Sequence, residues 1–217
     1  MLKLIFKIFT WVFHPLFIIS YVLLLMLWID PFLFGVKQWH DGIKLLLVIF
    51  FSSAFIPAFG VVMMKAIGLI KSIQLSDRMD RIGPYIIAGI FYLWLCKNLY
   101  SNNNFPDIYT AFVIGTTVTL FLCFTVNVLY KVSVHTAAMG GLFTMVCILI
   151  YKYNSIVSML SLGNISISIY SIGFLVLICA GIVGTSRLGL KAHTPLQVVW
   201  GYIIGIFSIL SIYTYLG

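Results

Sequence analysis

The sequence predicts an all-α membrane protein, a polytopic bundle of six or seven transmembrane helices. Hydrophobic residues make up 62% of the 217 residues, charged residues only 8%, and the mean hydropathy is +1.13. A soluble domain carries about 25% charged residues. The apolar residues also fall into long runs with short polar connections and no low-complexity segment. We therefore expect one integral membrane domain over residues 1–217.

Seven apolar segments follow one another along the chain, at about 4–28, 43–68, 82–99, 108–130, 136–152, 166–185 and 195–216. A helix needs about 20 residues to cross the hydrocarbon core, so the third and fifth segments are marginal and a count of six stays open. The first segment resembles a signal sequence, but its apolar run is longer than usual and no small-residue cleavage site follows. We expect a retained helix that bends near His14 and Pro15.

Two glycines in the last segment favour a close helix contact. Gly201 and Gly205 are four residues apart and therefore lie on the same face of a helix. Small residues at this spacing allow two membrane helices to approach each other closely.

Cysteine and charge usage exclude several classes of function. The four cysteines lie singly in or beside apolar segments, so neither a disulfide framework nor a zinc site is indicated. The 13 lysines and arginines are scattered through short loops, which argues against a nucleic-acid partner and favours anionic membrane lipid. The sequence has no glutamate and only 5 acidic residues, so hard ligands for magnesium or calcium are scarce. We expect neither a metal nor another cofactor.

Loop order predicts where the polar chemistry gathers. If all seven segments cross, the connections after the second, fourth and sixth lie at the same membrane face as the N-terminus. These connections are residues 71–81, 131–136 and 186–197. They bring His135, His193 and several cations to one face, whereas the loops of the opposite face show no comparable grouping.

The residue types at this face suit a phosphate group. Fixed positive charge comes from Lys71, Arg78 and Arg187. The guanidinium fork of arginine matches the geometry of phosphate oxygens. His135 and His193 can exchange a proton or attack phosphorus near neutral pH. The pattern therefore predicts phosphate chemistry without a metal.

Three short motifs resemble those of the type 2 phosphatidic acid phosphatase superfamily, which includes bacterial acid phosphatases and vanadium haloperoxidases. Residues 186–193, Ser-Arg, five residues and then His, resemble its third motif. Residues 132–135, Val-Ser-Val-His, are similar to its second, Pro-Ser-Gly-His. Residues 71–78 resemble its first, a lysine and six residues before Arg-Pro, with Met79 in place of the proline. The fragments occur in the order of the family.

The resemblance implies a role for each matching residue. His193 would be the nucleophile that forms a phosphohistidine, and His135 would protonate the leaving group. The phosphate-binding residues would be Lys71, Arg78, Ser133 and Arg187, with Gln197 and Ser186 in orienting or supporting roles. The implied catalytic core covers about 43–217. The implied activity is hydrolysis of a phosphoric monoester or diphosphate.

The sequence departs from the family pattern beside the nucleophile. The family has an aspartate four residues after the histidine, where this chain has Gln197. A glutamine oxygen can accept the ring N–H, but it brings no negative charge. Asp77 or Asp80 could supply the carboxylate instead, or Gln197 could serve a capping box that begins at Thr194. The second motif departs at Val132 and Val134.

The remaining polar residues have ordinary interpretations. We expect Arg81, Lys131 and Lys191 to be loop cations near lipid headgroups. We expect His14 and His40 to be packing or interfacial histidines. Most cations fall on the predicted site face, which the positive-inside rule would make cytoplasmic, whereas many bacterial relatives in the family place this site outside. The expected location is the bacterial cytoplasmic membrane, with the side of the site open.

The preferred function is a membrane-embedded phosphatase of a lipid phosphate or a polyprenyl or other lipid diphosphate. A non-hydrolytic relative, either a lipid phosphotransferase or a lipid-phosphate binder, is the alternative. A transporter is a third class, but the predicted helix interiors contain almost no ionisable residue that would mark a pathway.

Overall fold

The computed structural model describes residues 2–75, 77–102, 104–153, 159–162 and 165–216. Within these residues the all-α prediction is confirmed, because seven helical segments are long and apolar enough to cross a membrane. The segments are Leu2–Ile29, Pro31–Ala66, Met79–Tyr100, Asp107–Leu129, Val134–Tyr153, Ile169–Gly189 and Pro195–Leu216. The third and fifth, marginal by sequence, have 22 and 20 residues, which is enough to span the hydrocarbon core.

Nine α-helices make up most of the described chain. They are α1 (Leu2–Val12), α2 (Ile18–Ile29), α3 (Ile43–Phe50), α4 (Ile56–Ala66), α5 (Ile82–Tyr100), α6 (Asp107–Leu129), α7 (Val134–Tyr153), α8 (Ile169–Gly189) and α9 (Pro195–Leu216). Short 3₁₀ turns cover Pro15–Phe17, Pro31–Phe34, Trp39–Gly42 and Met79–Arg81, and a π-helical turn covers Phe51–Phe55. Two strands, β1 (Met159–Leu162) and β2 (Ile165–Ser168), pair antiparallel with Met159 opposite Ser168.

The first segment breaks at the predicted place. α1 ends at Val12 and α2 begins at Ile18. His14 has an extended backbone, φ −68° and ψ 138°, because the ring of Pro15 disfavours helical geometry in the preceding residue. Its side chain accepts the N–H of Leu16 and so caps the short turn that follows. The break places an imidazole at the junction of two helices.

α7 is the central helix, packed against α6, α8, α9 and α2. The predicted close contact of α9 is confirmed: a Cβ at Gly205 would collide with the backbone carbonyl of Ala137, and one at Gly201 with Thr136 and with the Ser133 carbonyl. The beginnings of α7 and α9 are therefore held together, and these are the regions that carry His135 and His193.

The strand pair shortens one predicted helix. The sequence predicts an apolar helix from about residue 166, but α8 begins at Ile169, because residues 165–168 form β2. The sequence Ile-Ser-Ile-Ser alternates apolar and polar residues with the period of a strand. Ser168 then caps α8 by accepting the N–H of Tyr170. In the sequence the strand pair lies between the end of α7 and the beginning of α8, and His135 and His193 lie at the opposite ends of these two helices.

Candidate active site

The loop after α6 docks on the beginning of α9. The backbone N–H of Ser133 donates to the carbonyl of Gln197 at 3.2 Å. The hydroxyl of Thr136 donates to the carbonyl of Val198 at 3.0 Å. His135 lies between these two anchors, in the first turn of α7. Two loops that are remote in sequence therefore form one site.

The turn between α8 and α9 brings His193 back over the end of α8. The backbone N–H groups of Ala192 and His193 donate to the carbonyl of Arg187, at 3.0 and 3.3 Å. Lys191 reverses the chain with a left-handed backbone, φ +53°, a conformation uncommon for residues other than glycine. Arg187 and His193 are consequently neighbours.

Gln197 fixes the proton on the ring of His193. Its Oε1 atom lies 3.0 Å from Nδ1 of His193 and accepts the backbone N–H of Thr194 at 3.3 Å. A backbone N–H can only donate, so the shared atom is the amide oxygen and Nδ1 must also donate to it. The proton of the neutral ring is therefore on Nδ1, and Nε2 carries the lone pair. Gln197 orients the histidine and caps α9 at the same time.

His193 is buried in a positively charged environment. Burial, and next the charge of Arg81, lower the pKa of His193 from 6.5 to about 3, while the hydrogen bond with Gln197 opposes the shift. Arg187 and Lys131 add to the lowering. The imidazole is therefore neutral at physiological pH. Burial and the two arginine charges also lower the pKa of Lys131.

Two buried nitrogen atoms of the site have no partner. Nε2 of His135 and Nε of Arg187 are inaccessible and make no hydrogen bond to any described residue. Arg187, His193 and Arg81 all lie within electrostatic range of His135. Both nitrogen atoms are therefore available to form a hydrogen bond with a bound group.

Arg81 belongs to this site, and the expectation that it is a loop cation near lipid headgroups was wrong. Its side chain is only 8% exposed. Nε donates to the carbonyl of Leu75 at 2.9 Å and NH1 to that of Val132 at 3.2 Å. These bonds hold the guanidinium beside the loop that leads to His135. The one signal in the sequence is its position at the start of α5, just after Arg78, which does not separate it from a surface cation.

His14 is also part of the site, although the sequence indicated only an ordinary packing or interfacial residue. Its ring centroid lies 5.2 Å from that of His135, and the two ring planes are almost perpendicular, at 87°. The chain reaches this point through the break before Pro15. No motif or spacing connects the first segment with His135, so the sequence held no signal for this contact.

Lys71 and Arg78 lie at the same end of the bundle but contact other groups. The side chain of Lys71 is 82% exposed and lies 3.8 Å from the carboxylate of Asp77. Arg78 donates to the last carbonyls of α6, those of Val128 at 3.0 Å and Leu129 at 2.8 Å. In the described part of the chain, the cations whose charge acts on His193 are instead Arg81, Arg187 and Lys131.

The two acidic residues of this face bond within their own loop. Asp77 accepts the N–H of Met79 at 3.0 Å, and this hydrogen bond is the largest cause of its lowered pKa. Asp80 accepts the N–H of Lys71 at 3.1 Å. No acidic side chain is among the groups whose charge acts on His193. The described contacts therefore give Gln197, and neither aspartate, as the partner of the His193 ring.

The two predicted serines differ in what their hydroxyl groups can do. Both are completely buried. Ser133 Oγ accepts the N–H of Thr136 at 3.4 Å, which leaves its own hydrogen available to a ligand. Ser186 Oγ donates to the carbonyl of Ile182 at 2.7 Å, so its hydrogen is used inside α8. The Ser133 hydroxyl can therefore donate a hydrogen bond to a phosphate oxygen, whereas Ser186 has a structural role beside Arg187.

The fold and the site together define a class: an all-α integral membrane protein with a buried cluster of histidines and cations at one end of the bundle. Comparison with protein-family models, curated proteins and solved structures finds no match to this chain. The geometry of the site and the resemblance of the three short motifs are therefore the two indications of its function.

Proposed function

We propose that this protein is a metal-independent phosphatase of a lipid phosphate or lipid diphosphate, acting through a phosphohistidine on His193. One observation carries the proposal: buried and half-buried cations, with no acid among the groups that act on His193, lie beside a neutral imidazole whose Nε2 lone pair is free. The resemblance to type 2 phosphatidic acid phosphatases points to the same chemistry.

The positive charge requires a counter-ion. Arg81, Arg187 and Lys131 all act on His193, and no acid is among the groups that do so. Asp77 acts on Lys131, but no aspartate acts on Arg81 or Arg187. A buried charge without a counter-charge costs several kcal/mol, so a bound anion would stabilise the site. A phosphate group fits better than a carboxylate, because it offers up to two negative charges and three terminal oxygens to the cations, the unpartnered Arg187 Nε and the Ser133 hydroxyl.

The nucleophile follows from the proton position. With the proton on Nδ1, Nε2 of His193 can attack phosphorus, which forms a P–N bond and breaks the P–O bond to the lipid. The bonding electrons leave with the lipid oxygen. Charge that develops on the three remaining oxygens meets preorganised cations, which is the main way in which proteins stabilise phosphoryl transfer.

His135 completes the cycle as acid and then base. Once the negative charge of the bound phosphate offsets the neighbouring cations, His135 takes up a proton and gives it to the departing lipid oxygen, help that is worth about 10² to 10⁴ in rate. Water then attacks the phosphohistidine, His135 takes a proton from that water, and phosphate leaves. The sum is one lipid phosphate and one water converted to a lipid alcohol and inorganic phosphate.

A lipid substrate is supported by the surroundings of the site. The cluster lies at the end of helices with many large apolar side chains on their outer surfaces, for example Leu93 and Phe121. These two residues line an apolar groove of about 310 Å³ between α5 and α6. A headgroup at the cationic end would leave its chains along such surfaces. Phosphatidate, phosphatidylglycerophosphate, polyprenyl diphosphate and lipid A phosphate fit this description, and the proposed location is the bacterial cytoplasmic membrane.

The test is phosphate release by the purified protein from these four lipids, in detergent with a chelator present. We expect hydrolysis of at least one lipid, loss of hydrolysis and of acid-labile phosphoenzyme in His193→Ala, and wild-type turnover in His40→Ala, whose histidine lies at the other end of the bundle. Release from none of the lipids, or inhibition by the chelator that added metal reverses, would overturn the proposal.

Gln197 favours a second candidate, a non-hydrolytic relative. The ring of His193 is held by an amide, which stabilises a developing positive charge less than a carboxylate does. A lipid phosphotransferase would form phosphoenzyme and pass the phosphoryl group to an added alcohol faster than to water. A lipid-phosphate binder would show saturable thermal stabilisation by these lipids and no phosphoenzyme.

A further inference from the structure

The ring of His14 lies against the ring of His135, and the local chain geometry explains how it is held there. His14 precedes Pro15 in extended conformation, and its ring Nδ1 accepts the N–H of Leu16 at 3.4 Å. This bond places the proton of the neutral His14 ring on Nε2. Serine, asparagine or aspartate would be the usual cap, so capping alone does not account for a histidine at this position.

We infer that His14 is a positioning residue for His135, so that the N-terminal segment supplies a third imidazole to the active site. The inference rests on the proposed role of His135 as proton donor. In a perpendicular contact, the positive edge of one ring lies against the negative face of the other. With centroids 5.2 Å apart, this contact restricts the plane of the His135 ring. The plane of the His135 ring sets the direction in which its unpartnered Nε2 presents a proton to the substrate.

Among the described residues, neither a hydrogen bond at Nε2 nor an acidic partner orients the His135 ring. The charged or titratable groups that act on it are Arg187, His14, His193 and Arg81. None of these is acidic, and Nε2 of His135 accepts no hydrogen bond from a described residue. A shared metal ion would be another reason for three histidines, but no three histidine, cysteine or acidic side chains in the described part of the chain are arranged to hold one.

Three variants separate ring packing from capping. His14→Asn keeps a side chain that caps well but removes the ring. His14→Phe keeps a flat ring against His135 but removes the cap. His14→Ala removes both. We expect His14→Asn to lower kcat at least tenfold on a lipid monophosphate, whose alkoxide leaving group needs a proton. The same variant should stay within twofold of wild type on an aryl phosphate, whose leaving group needs none. His14→Phe should stay within threefold on both.

The opposite ranking would overturn the inference, since wild-type activity in His14→Asn with impaired His14→Phe would show that the cap alone matters. Equal losses on both substrates would also overturn it, because they would indicate general damage to the fold. A second readout needs no turnover: ¹⁵N-histidine NMR in detergent should show altered His135 ring resonances in His14→Asn and near wild-type ones in His14→Phe. Unchanged resonances in His14→Asn would reject the inference. A wild-type protein that releases no phosphate would reject the proposed function instead.

Discussion

The two ends of the helix bundle use the same residue types in different environments. At the end remote from the site, His40 lies 3.8 Å from Asp41, and the two side chains are 52% and 47% exposed. Water and ions screen such a pair, which contributes little to stability. At the site end, His193 is 8% exposed and its charged neighbours are cations. Burial without a counter-charge, more than the number of cations, distinguishes a site from a surface.

The same contrast divides the cations of the site end. Lys71 is exposed and near Asp77, whereas Arg81 is buried and near the imidazoles. The motif resemblance assigns a phosphate contact to Lys71, and the geometry favours Arg81. These two residues therefore offer a direct test of which criterion identifies the phosphate-binding groups.

Removal of the two arginines that act on His193, the buried Arg81 and the half-buried Arg187, should have the largest effect. We expect Arg81→Ala and Arg187→Ala each to lower kcat/KM for the best lipid substrate about 10² to 10³-fold, the usual cost of losing one preorganised group that stabilises transition-state charge. Lys71→Ala should cost less than threefold. Initial rates of phosphate release check this, with circular dichroism and gel filtration as controls for folding. A loss in Lys71→Ala as large as that in Arg81→Ala would show that the exposed loop closes over the substrate.

The sequence predicted the fold well because composition and the lengths of the apolar runs determine how many helices can cross a bilayer. It also brought His135 and His193 to one end, because loop parity follows from those crossings. It did not predict the contact of His14 with His135 or the burial of Arg81. Their positions depend on how the broken first segment packs against α7 and on how Arg81 bonds to the loop before α7. Neither residue has a spacing in the sequence that indicates a tertiary contact.

Substitutions of Gln197 should have the next largest effect on turnover. Gln197→Leu removes the oxygen that fixes the Nδ1 proton of His193, and we expect turnover to fall roughly 10- to 100-fold, as when other groups that orient a functional histidine are lost. Gln197→Glu keeps the length of the side chain and adds a charge, so it should raise turnover. Gln197→Asp is one methylene shorter and should lose both hydrogen bonds. Rates and melting temperatures measured together check all three. Wild-type turnover in Gln197→Leu would contradict an orienting role.

The buried His193 should make the protein sensitive to acid. In the unfolded chain this histidine binds a proton near pH 6.5, and in the folded protein only near pH 3. Between these values the unfolded state holds more protons, so the free energy of unfolding decreases as the pH falls, by at most about 1.4 kcal/mol per pH unit. Above pH 6.5 the contribution of His193 is constant.

His193→Asn removes this titration and serves as the matched control. The melting temperatures of wild type and variant should differ by a constant amount above pH 6.5. Below it, wild type should lose stability faster than the variant until about pH 3. Parallel curves from pH 8 to pH 4 would mean that His193 is not held neutral.

The glycine contact that joins the two histidine loops should be sensitive to a single methyl group. A Cβ at Gly205 would meet the carbonyl of Ala137, which is backbone and cannot rotate away. We expect Gly205→Ala to cost roughly 1–3 kcal/mol and to lower turnover as the loops separate. At Gly181 nothing lies within 4 Å of an added Cβ, so Gly181→Ala should be neutral or stabilising by about 0.5–1 kcal/mol. Equal melting temperatures for the two variants would contradict the close contact.

The smallest expected effect concerns Lys191, an exposed cation beside the buried ones. Its left-handed backbone, φ +53°, costs a lysine roughly 1 kcal/mol, a cost that glycine avoids. Lys191→Gly should therefore increase the free energy of unfolding by up to about 1 kcal/mol, after the extra freedom of glycine in the unfolded chain is subtracted. The melting temperature should rise slightly. Lys191→Ala removes the same charge but keeps the strain, so it should change neither stability nor phosphate release by a measurable amount. If Lys191→Ala lowered turnover as Arg81→Ala does, an exposed cation would be acting on the substrate. The distinction between buried and exposed cations would then fail at Lys191, two residues before the proposed nucleophile His193.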